Sequence, residues 1–330
     1  MSAWLVVWQI ALVVAVTGLV PWIGIRMLAG SLAASPLAQR TNFRGREVFI
    51  GLGIVWVFWV GGMVVLRYVG EIVGSELSLF VAIGAVSPLV IATLLFGVLD
   101  DAYGTSAERG FRGHLTALAH GRLTTGAFKL VGIALVSLAA ATSIVGGEGV
   151  AVSGPPTTLA ALLPWAGWTL VLGAVISLSA NFINLTDLRP GRALKCYALL
   201  AVVLVAVALA TRITDATGTA LLALALGGPA AAVWALDIRE RGMLGDAGAN
   251  AAGALLGFVA AWECGRSPAA IALLVVLLAV NLASERWSFS RLIERNPLLS
   301  WLDNVGRLPH DATASANSAK SSPQSETSDG

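Results

Sequence analysis

Long apolar windows constrain the fold of this chain more than any other feature of its sequence. They recur along most of the 330 residues. Each has the length, about 17–25 residues, that a helix needs to cross the hydrocarbon core of a bilayer. The chain is 57% hydrophobic and 12% charged, whereas a soluble domain carries about 25% charged residues. The sequence therefore predicts an all-α integral membrane protein.

Nine windows are long enough to be counted as transmembrane helices. They lie at about 4–27, 47–68, 77–99, 128–146, 159–180, 196–212, 217–236, 247–263 and 268–284. No basic residue precedes the first window and no convincing cleavage site follows it, so we expect it to be retained rather than removed as a signal peptide. An odd number of spans places the two termini on opposite sides of the membrane.

The basic residues indicate which terminus is cytoplasmic. With the N-terminus outside, 18 of the 21 Lys and Arg residues fall on the cytoplasmic side, and only Arg67, Arg212 and Arg266 fall outside. Because positively charged loops stay in the cytoplasm, we expect an outside N-terminus, a cytoplasmic C-terminus and location in the plasma membrane. The net charge of +2 is small and gives no support to nucleic-acid binding.

Two adjacent carboxylates, Asp100 and Asp101, end the third predicted span. Carboxylates at the end of an apolar helix must reach water, pair with bases or bind a cation, since a dry unpaired charge is costly. The segment that follows is basic, and Arg112 and Lys129 are among its candidates to pair with these acids or with a phosphate. A helix end that is simply solvated explains the acidic pair equally well.

The fifth predicted span ends in a second polar cluster, Asn181, Asn184 and Asp187. On a helix these positions lie within about 120° of arc and therefore on one face. Two amides and a carboxylate on one face at the membrane boundary favour a ligand-binding surface. The alternative is a polar seam between packed helices.

A third acidic position, Asp246, stands where the eighth predicted span begins, between Gly245 and Gly248. Its simplest role is the N-cap of that helix. The glycines would let a ligand or another backbone approach closely, and a carboxylate suits Mg²⁺, which prefers oxygen ligands. All three clusters fall on one predicted membrane face, so the sequence predicts one site assembled from three loops on the cytoplasmic side.

In their order and spacing, the three clusters resemble the motifs of the polyprenyl-phosphate N-acetylhexosamine-1-phosphate transferases. The G-x-x-D-D motif corresponds to Gly97–Asp101, N-x-x-N-x-x-D to Asn181–Asp187, and the G-D-x-G element to Gly245–Gly248. The resemblance covers roughly residues 94–258. The family includes the phospho-MurNAc-pentapeptide translocase of peptidoglycan synthesis and GlcNAc-1-phosphate transferases of other glycan pathways.

The resemblance implies Mg²⁺-dependent transfer of a phosphosugar from a UDP-N-acetylhexosamine to a polyprenyl phosphate, with release of UMP. It also implies a homodimer, and it assigns roles to particular residues. The implied metal ligand is Asp246, the implied catalytic residues are Asp100, Asp101, Asn184 and Asp187, and the implied substrate-binding residues are Asn181, Leu185, Lys129, Arg112 and Met243. The chemistry agrees, because phosphoryl transfer depends mostly on positioning and charge neutralisation.

Three features depart from the family pattern. Gly104 stands where the translocase has a lysine, the stretch after the ninth span lacks the histidine-rich loop that helps to recognise the sugar, and the tenth span is missing. These departures leave open a second interpretation, a catalytically silent relative that acts as a membrane interaction or regulatory protein. A secondary transporter is disfavoured, because its polar groups would lie near mid-membrane.

Beyond the membrane domain, residues 1–284, the chain divides into two parts. Residues 285–307 mix Trp and Leu with Arg and Glu, as in an amphipathic cytoplasmic segment. Such a segment lies on the membrane, closes the site or simply packs against the spans. Residues 308–330 are rich in Ser, Ala, Asn and Gln and are predicted to be a disordered tail.

Overall fold

The computed structural model describes residues 3–73, 83–104, 113, 116–117, 119–146, 156–213 and 215–308. The α-helices in these ranges are α1 (Ala3–Val14), α2 (Val20–Ala34), α3 (Val55–Val73), α4 (Ile83–Tyr103), α5 (Thr125–Gly146), α6 (Leu159–Thr186), α7 (Arg192–Thr211), α8 (Ala216–Ile238), α9 (Gly245–Cys264), α10 (Pro268–Ser284), α11 (Phe289–Arg295) and α12 (Pro297–Asn304). A π-helical turn, Ala15–Leu19, joins α1 to α2. The strands are β1 (Gln39–Thr41), β2 (Glu47–Ile50) and β3 (Gly242–Met243).

Apolar helices dominate the architecture, as the sequence predicts. Seven helical stretches in the described ranges are long and apolar enough to cross a membrane: the continuous stretch from α1 to α2, and the helices α3 to α8. The number is eight if α10 and α11, which meet at a bend of 94°, form one broken span. The chain is therefore a helical membrane protein. Each of the nine predicted windows contains a helix within its described residues, but α9 lies outside the count of candidate spans. A total of nine spans and the direction of insertion stay predictions.

The helix α9 is less apolar than the candidate membrane spans, and it lies in the centre of the helical bundle. Most of its residues are buried, because it packs against α4 and α6 as well as α7 and α3. Its surface therefore meets protein rather than lipid, and small residues let the backbones come close. A Cβ atom at Gly97 of α4 would overlap the backbone of Ala247, and one at Gly253 would overlap the backbone of Ser179 on α6.

A small three-stranded sheet interrupts the helical pattern and was not predicted. Strand β2 pairs antiparallel with β1 and parallel with β3, with Phe49 opposite Gly242. Strands of two to four residues are too short to give a recognisable alternation of polar and apolar residues. Residues 47–50, which the sequence assigned to the second span, therefore belong to β2. The helix α3 begins only at Val55, after Gly51 with φ of 115°.

The segment after α10 folds into the two short helices α11 and α12. The side chains of Trp287, Leu298 and Trp301 are exposed, whereas Asp303 is buried against the rest of the protein. Polar contacts of this segment reach the loop between α6 and α7 and the first residue of α7. Residues 309–330, predicted to be a disordered tail, lie outside the described residues.

Candidate active site

A lysine joins two of the predicted acidic positions. Lys129, in the first turns of α5, places its Nζ atom 2.6 Å from Oδ2 of Asp100 at the end of α4. The same ammonium contacts Oδ2 of Asp246 at the start of α9. The Lys129 side chain is 9% exposed and that of Asp246 is 33% exposed. One buried cation thus links two carboxylates from separate helices, and the Asp246 carboxylate is still open to solvent.

The two members of the acidic pair have different partners. Asp100 contacts Lys129, and the side chain of Thr125 lies near it. Asp101 accepts hydrogen bonds from the backbone N–H groups of Asp246 at 3.1 Å and Ala247 at 3.0 Å. The first N–H groups of a helix lack partners within it and carry partial positive charge. Asp101 therefore caps α9 from another helix, and both of its oxygens are engaged.

The motif glycines explain how this cap becomes possible. Gly97 lies one turn before the acidic pair, where a side chain would collide with the backbone of Ala247. Gly245 has φ of 71°, a conformation that favours glycine, and a Cβ atom there would lie 2.8 Å from Oδ2 of Asp101. The glycines at the two motifs thus allow the end of α4 to meet the start of α9.

Asp187 approaches the same cluster from the end of α6. The backbone N–H of Gly245 lies near its carboxylate and favours the charged form. Burial, and then repulsion from the carboxylates of Asp237, Asp246 and Asp101, raise the pKa of Asp187 well above its ordinary value. The acidic residues of all three motifs therefore lie near one another, as the sequence predicts for a single site.

The two amides of the second motif differ in their surroundings. Asn181 donates a hydrogen bond through Nδ2 to Oδ1 of Asn281 at 2.7 Å, and Asn281 donates to the backbone of Leu178 at 3.2 Å. This is the polar seam between helices, here α6 and α10, that the sequence left open as an alternative. The Oδ1 atom of Asn184 is buried and has no hydrogen-bond partner in the part of the chain that the structure describes.

The remaining predicted site residues are placed less decisively. Leu185 is partly buried in the last turn of α6. Met243 lies in β3, where it pairs with Ile50. Arg112 lies outside the described residues.

Arg40 is a site contact that sequence reasoning did not single out. Its guanidinium donates to the backbone oxygen of Asp101 and, at 2.7 Å, to that of Gln39. The sequence around Arg40 is basic, and Arg40 itself lies in β1, where it pairs with Val48 and reaches the end of α4. Cytoplasmic segments of membrane proteins are generally rich in Lys and Arg, so the sequence does not distinguish a basic residue at the site from the others.

Asp237 is a second such residue. It is buried at the end of α8, where Oδ2 accepts a hydrogen bond from the backbone N–H of Gly191 at 2.8 Å. It thereby holds the loop that follows Asp187. Its signal in the sequence is one carboxylate at the end of an apolar helix.

No family model matches the chain, and no curated protein matches it either. The motif resemblance therefore stays a prediction. Among the described residues, no group of three or more His, Cys, Asp or Glu side chains is placed to hold a metal ion. Any metal at this cluster needs ligands that the described side chains do not provide alone.

Proposed function

We propose that this protein transfers a phospho-N-acetylhexosamine from a UDP-sugar to a membrane polyprenyl phosphate and releases UMP, as a step of cell-envelope glycan synthesis. One observation carries the proposal. The Lys129 ammonium contacts both Asp100 and Asp246, while Asp101 caps α9, the helix that carries Asp246 in its first turn. Capping accounts for Asp101, but it does not require two further carboxylates and a buried lysine at the same point. A charged ligand accounts for Asp100, Lys129 and Asp246 better.

The acceptor itself reduces what the protein must do. In the proposed reaction an oxygen of the lipid phosphate attacks the β-phosphorus of the UDP-sugar, and the bond from that phosphorus to the bridging oxygen breaks, so that UMP leaves. A phosphate monoester has a second pKa of about 6 and is mostly doubly ionised at pH 7. The nucleophile therefore needs no strong base. The protein has to hold two polyanions together, and Lys129 supplies one of the cations for that task.

The residues fit a magnesium ion that arrives with its substrate. Mg²⁺ usually binds through one or two carboxylates and completes its shell with water and substrate phosphates. Asp246 and Asp100 would supply two carboxylates. The amide oxygen of Asn184, which has no hydrogen-bond partner among the described residues, is a further oxygen atom in the same motif as Asp187. The bound ion would neutralise charge on the diphosphate of the donor.

The position of the cluster suits a lipid acceptor. It lies where α4 ends and α5 begins, so a phosphate at the membrane boundary would meet it while the polyprenyl chain stays among the apolar helices. The proposal places this boundary at the cytoplasmic face of the plasma membrane. It includes a homodimer only as a family expectation.

Release of UMP tests the proposal directly. The purified protein is incubated with Mg²⁺, a polyprenyl phosphate and a panel of UDP-sugars, alongside the variants Asp246→Asn and Asp215→Asn. Asp215 caps α8 by accepting a hydrogen bond from Gly218, and Asn caps helices equally well, so this variant is a matched control. We expect lipid-dependent UMP release that is lost in Asp246→Asn and kept in Asp215→Asn.

Absence of UMP release with every donor, from a folded protein, would instead favour the silent relative. The lost histidine-rich loop is the feature that supports this second candidate. Binding of a UDP-sugar without turnover would mark the protein as one that has kept the scaffold and lost the chemistry.

A further inference from the structure

The loop that follows Asp187 is held by the C-terminal end of the described chain. Residues 187–191 connect α6 to α7 and contain the candidate site residue Asp187. The segment Ser288–Leu308, which contains α11 and α12, packs against this loop. The bend of 94° after α10 turns the segment across the end of the helical bundle.

Asp303 is the centre of the contact. Arg192 donates to both of its carboxylate oxygens, from Nε and Nη2, at 2.8 Å each. Arg307 donates to the same two oxygens, from Nη1 at 2.8 Å and from Nη2 at 2.7 Å. The three side chains are between 5% and 9% exposed. Two paired guanidiniums on one buried carboxylate form a rigid junction, because each pair fixes both distance and plane.

Arg307 extends this junction to the loop itself. Its Nε atom donates to the backbone oxygen of Pro190 at 2.8 Å. From the other side, Asp237 accepts from the backbone N–H of Gly191 at 2.8 Å. The loop is therefore held from two directions within four residues of Asp187.

Further contacts tie the segment to its surroundings. Arg192 donates through Nη1 to Oγ of Ser290 at 2.8 Å. Lys195 donates to the backbone oxygens of Leu302 at 2.9 Å and Asp303 at 2.7 Å. Arg44, from the β1–β2 connection, donates to the backbone oxygen of Leu308 at 2.9 Å. These contacts come from α7 and from the sheet, so the segment joins parts of the fold that are distant in sequence.

We propose that Ser288–Leu308 is a strap that positions the Asp187 loop, with Asp303 as its positioning residue. Asp303 acts through Arg307 and the backbone of Pro190 and does not touch substrate. A loop held by few contacts opens locally at low free energy. Without the junction, the loop keeps the hydrogen bond from Gly191 to Asp237 and the contacts of Arg189 with Glu294 and Phe43. The consequence for catalysis rests on the function proposed above, whereas the structural part does not.

Hydrogen exchange of the full-length protein in a detergent or nanodisc tests the structural part. The variant Asp303→Asn is compared with Asp215→Asn, which removes the same charge from an exposed cap at the start of α8, outside both the strap and the loop. We expect the amides of residues 187–189 and of Gly191 to exchange about tenfold faster in Asp303→Asn. We expect a change below about twofold in Asp215→Asn, because Asn caps a helix about as well as Asp.

Two further variants keep the test decisive if Asp303→Asn folds poorly. Arg307→Lys keeps the charge and loses the paired geometry, so we expect faster exchange in the same loop. Asp303→Glu restores the carboxylate, and we expect exchange closer to that of the wild type. Wild-type exchange in both Asp303→Asn and Arg307→Lys would overturn the strap.

The UMP assay tests the consequence separately. Misplacing a catalytic group by about 1 Å costs up to about 100-fold in rate, so we expect kcat of Asp303→Asn to fall by about 10–100-fold with KM for the lipid nearly unchanged. Faster exchange with an unchanged kcat would overturn the positioning role. A wild-type protein that releases no UMP would count against the proposed function, and the exchange result would still decide whether the strap exists.

Discussion

The Oδ2 atom of Asp101 lies 3.0 Å from the backbone nitrogen of Ala247. These residues are separated by 146 positions, and their hydrogen bond joins the end of α4 to the start of α9. Helix caps usually come from the residue just before the helix, but Leu244 at that place in α9 offers no side-chain cap. The second aspartate of the acidic pair therefore supplies what the local sequence does not.

Removing this cap is expected to destabilise the fold. Asp101→Ala leaves the N–H groups of Asp246 and Ala247 without their partner, which should cost about 1–3 kcal/mol. Asp101→Asn keeps one acceptor oxygen and should cost less. Thermal unfolding of both variants in detergent measures the effect, with Asp215→Ala as a comparison for an ordinary cap. Equal unfolding temperatures for wild type and Asp101→Ala would contradict the capping role.

Substitution of Lys129 is expected to change both the stability of the protein and its response to Mg²⁺. Lys129→Gln leaves Asp100 and Asp246 without their shared cation, so we expect a loss of roughly 3 kcal/mol of stability and loss of UMP release. Because two unpaired carboxylates attract a divalent cation, added Mg²⁺ should raise the unfolding temperature of Lys129→Gln more than that of the wild type.

The double variant Lys129→Gln/Asp246→Asn is the control for this experiment. It removes one of the two carboxylates, so the additional stabilisation by Mg²⁺ should disappear. The idea fails if Mg²⁺ stabilises the single and double variants equally.

Gly97 is expected to be intolerant of any side chain. Gly97→Ala places a methyl group against the backbone of Ala247, so α4 and α9 must move apart, at a cost of about 1–3 kcal/mol. Gly61→Ala on α3 is the matched control, because nothing lies within 4 Å of its added Cβ atom. A drop in unfolding temperature in Gly97→Ala that also appears in Gly61→Ala would point to a general effect of the substitution.

The junction at Asp303 predicts a dependence of stability on pH. Burial opposes ionisation of Asp303, but Arg192 and Arg307 outweigh it and hold the pKa of Asp303 below its ordinary value of 3.8. A carboxyl group with a lower pKa in the folded state stabilises the fold above its unfolded pKa, and this contribution is lost as the pH falls through the folded pKa. Its contribution should therefore be constant from pH 7 down to about pH 4 and then decline.

Unfolding temperatures of wild type and Asp303→Asn across this range check the sign. The wild type should be the more stable protein above about pH 4, and the difference should shrink below that value. A difference that grows on acidification would contradict the assigned direction of the pKa shift.

The acidic pair shows how far the sequence could reach. Two aspartates at the end of an apolar helix need partners, because an unpaired charge there is costly. Since two other polar clusters fall on the same predicted membrane face, the sequence predicted one shared site. The sequence could not say that Asp100 would pair with Lys129 while Asp101 would cap α9. Adjacent residues of a helix point in directions about 100° apart, so neighbours in sequence meet different partners.

The small sheet and the seam at Asn181 show where local patterns fail. The sheet brings Arg40 to Asp101, yet its strands are too short to carry a periodic signal. Asn181 shares a polar face with Asn184 and Asp187, but whether an amide on that face binds a ligand or another helix depends on what packs against it. Here Asn281 of α10 does so.

The sequence by itself determined that this chain forms apolar helices that cross a membrane, because their length and composition are local properties of each window. It also determined that the acids of three motifs lie at the ends of helices. Only the tertiary structure decided which side chains meet, since Lys129 and Asp246 are 117 positions apart. It likewise placed Asp303 against Arg192, 111 positions away. Contacts of that range leave no periodic trace in a sequence, because they depend on how whole helices pack.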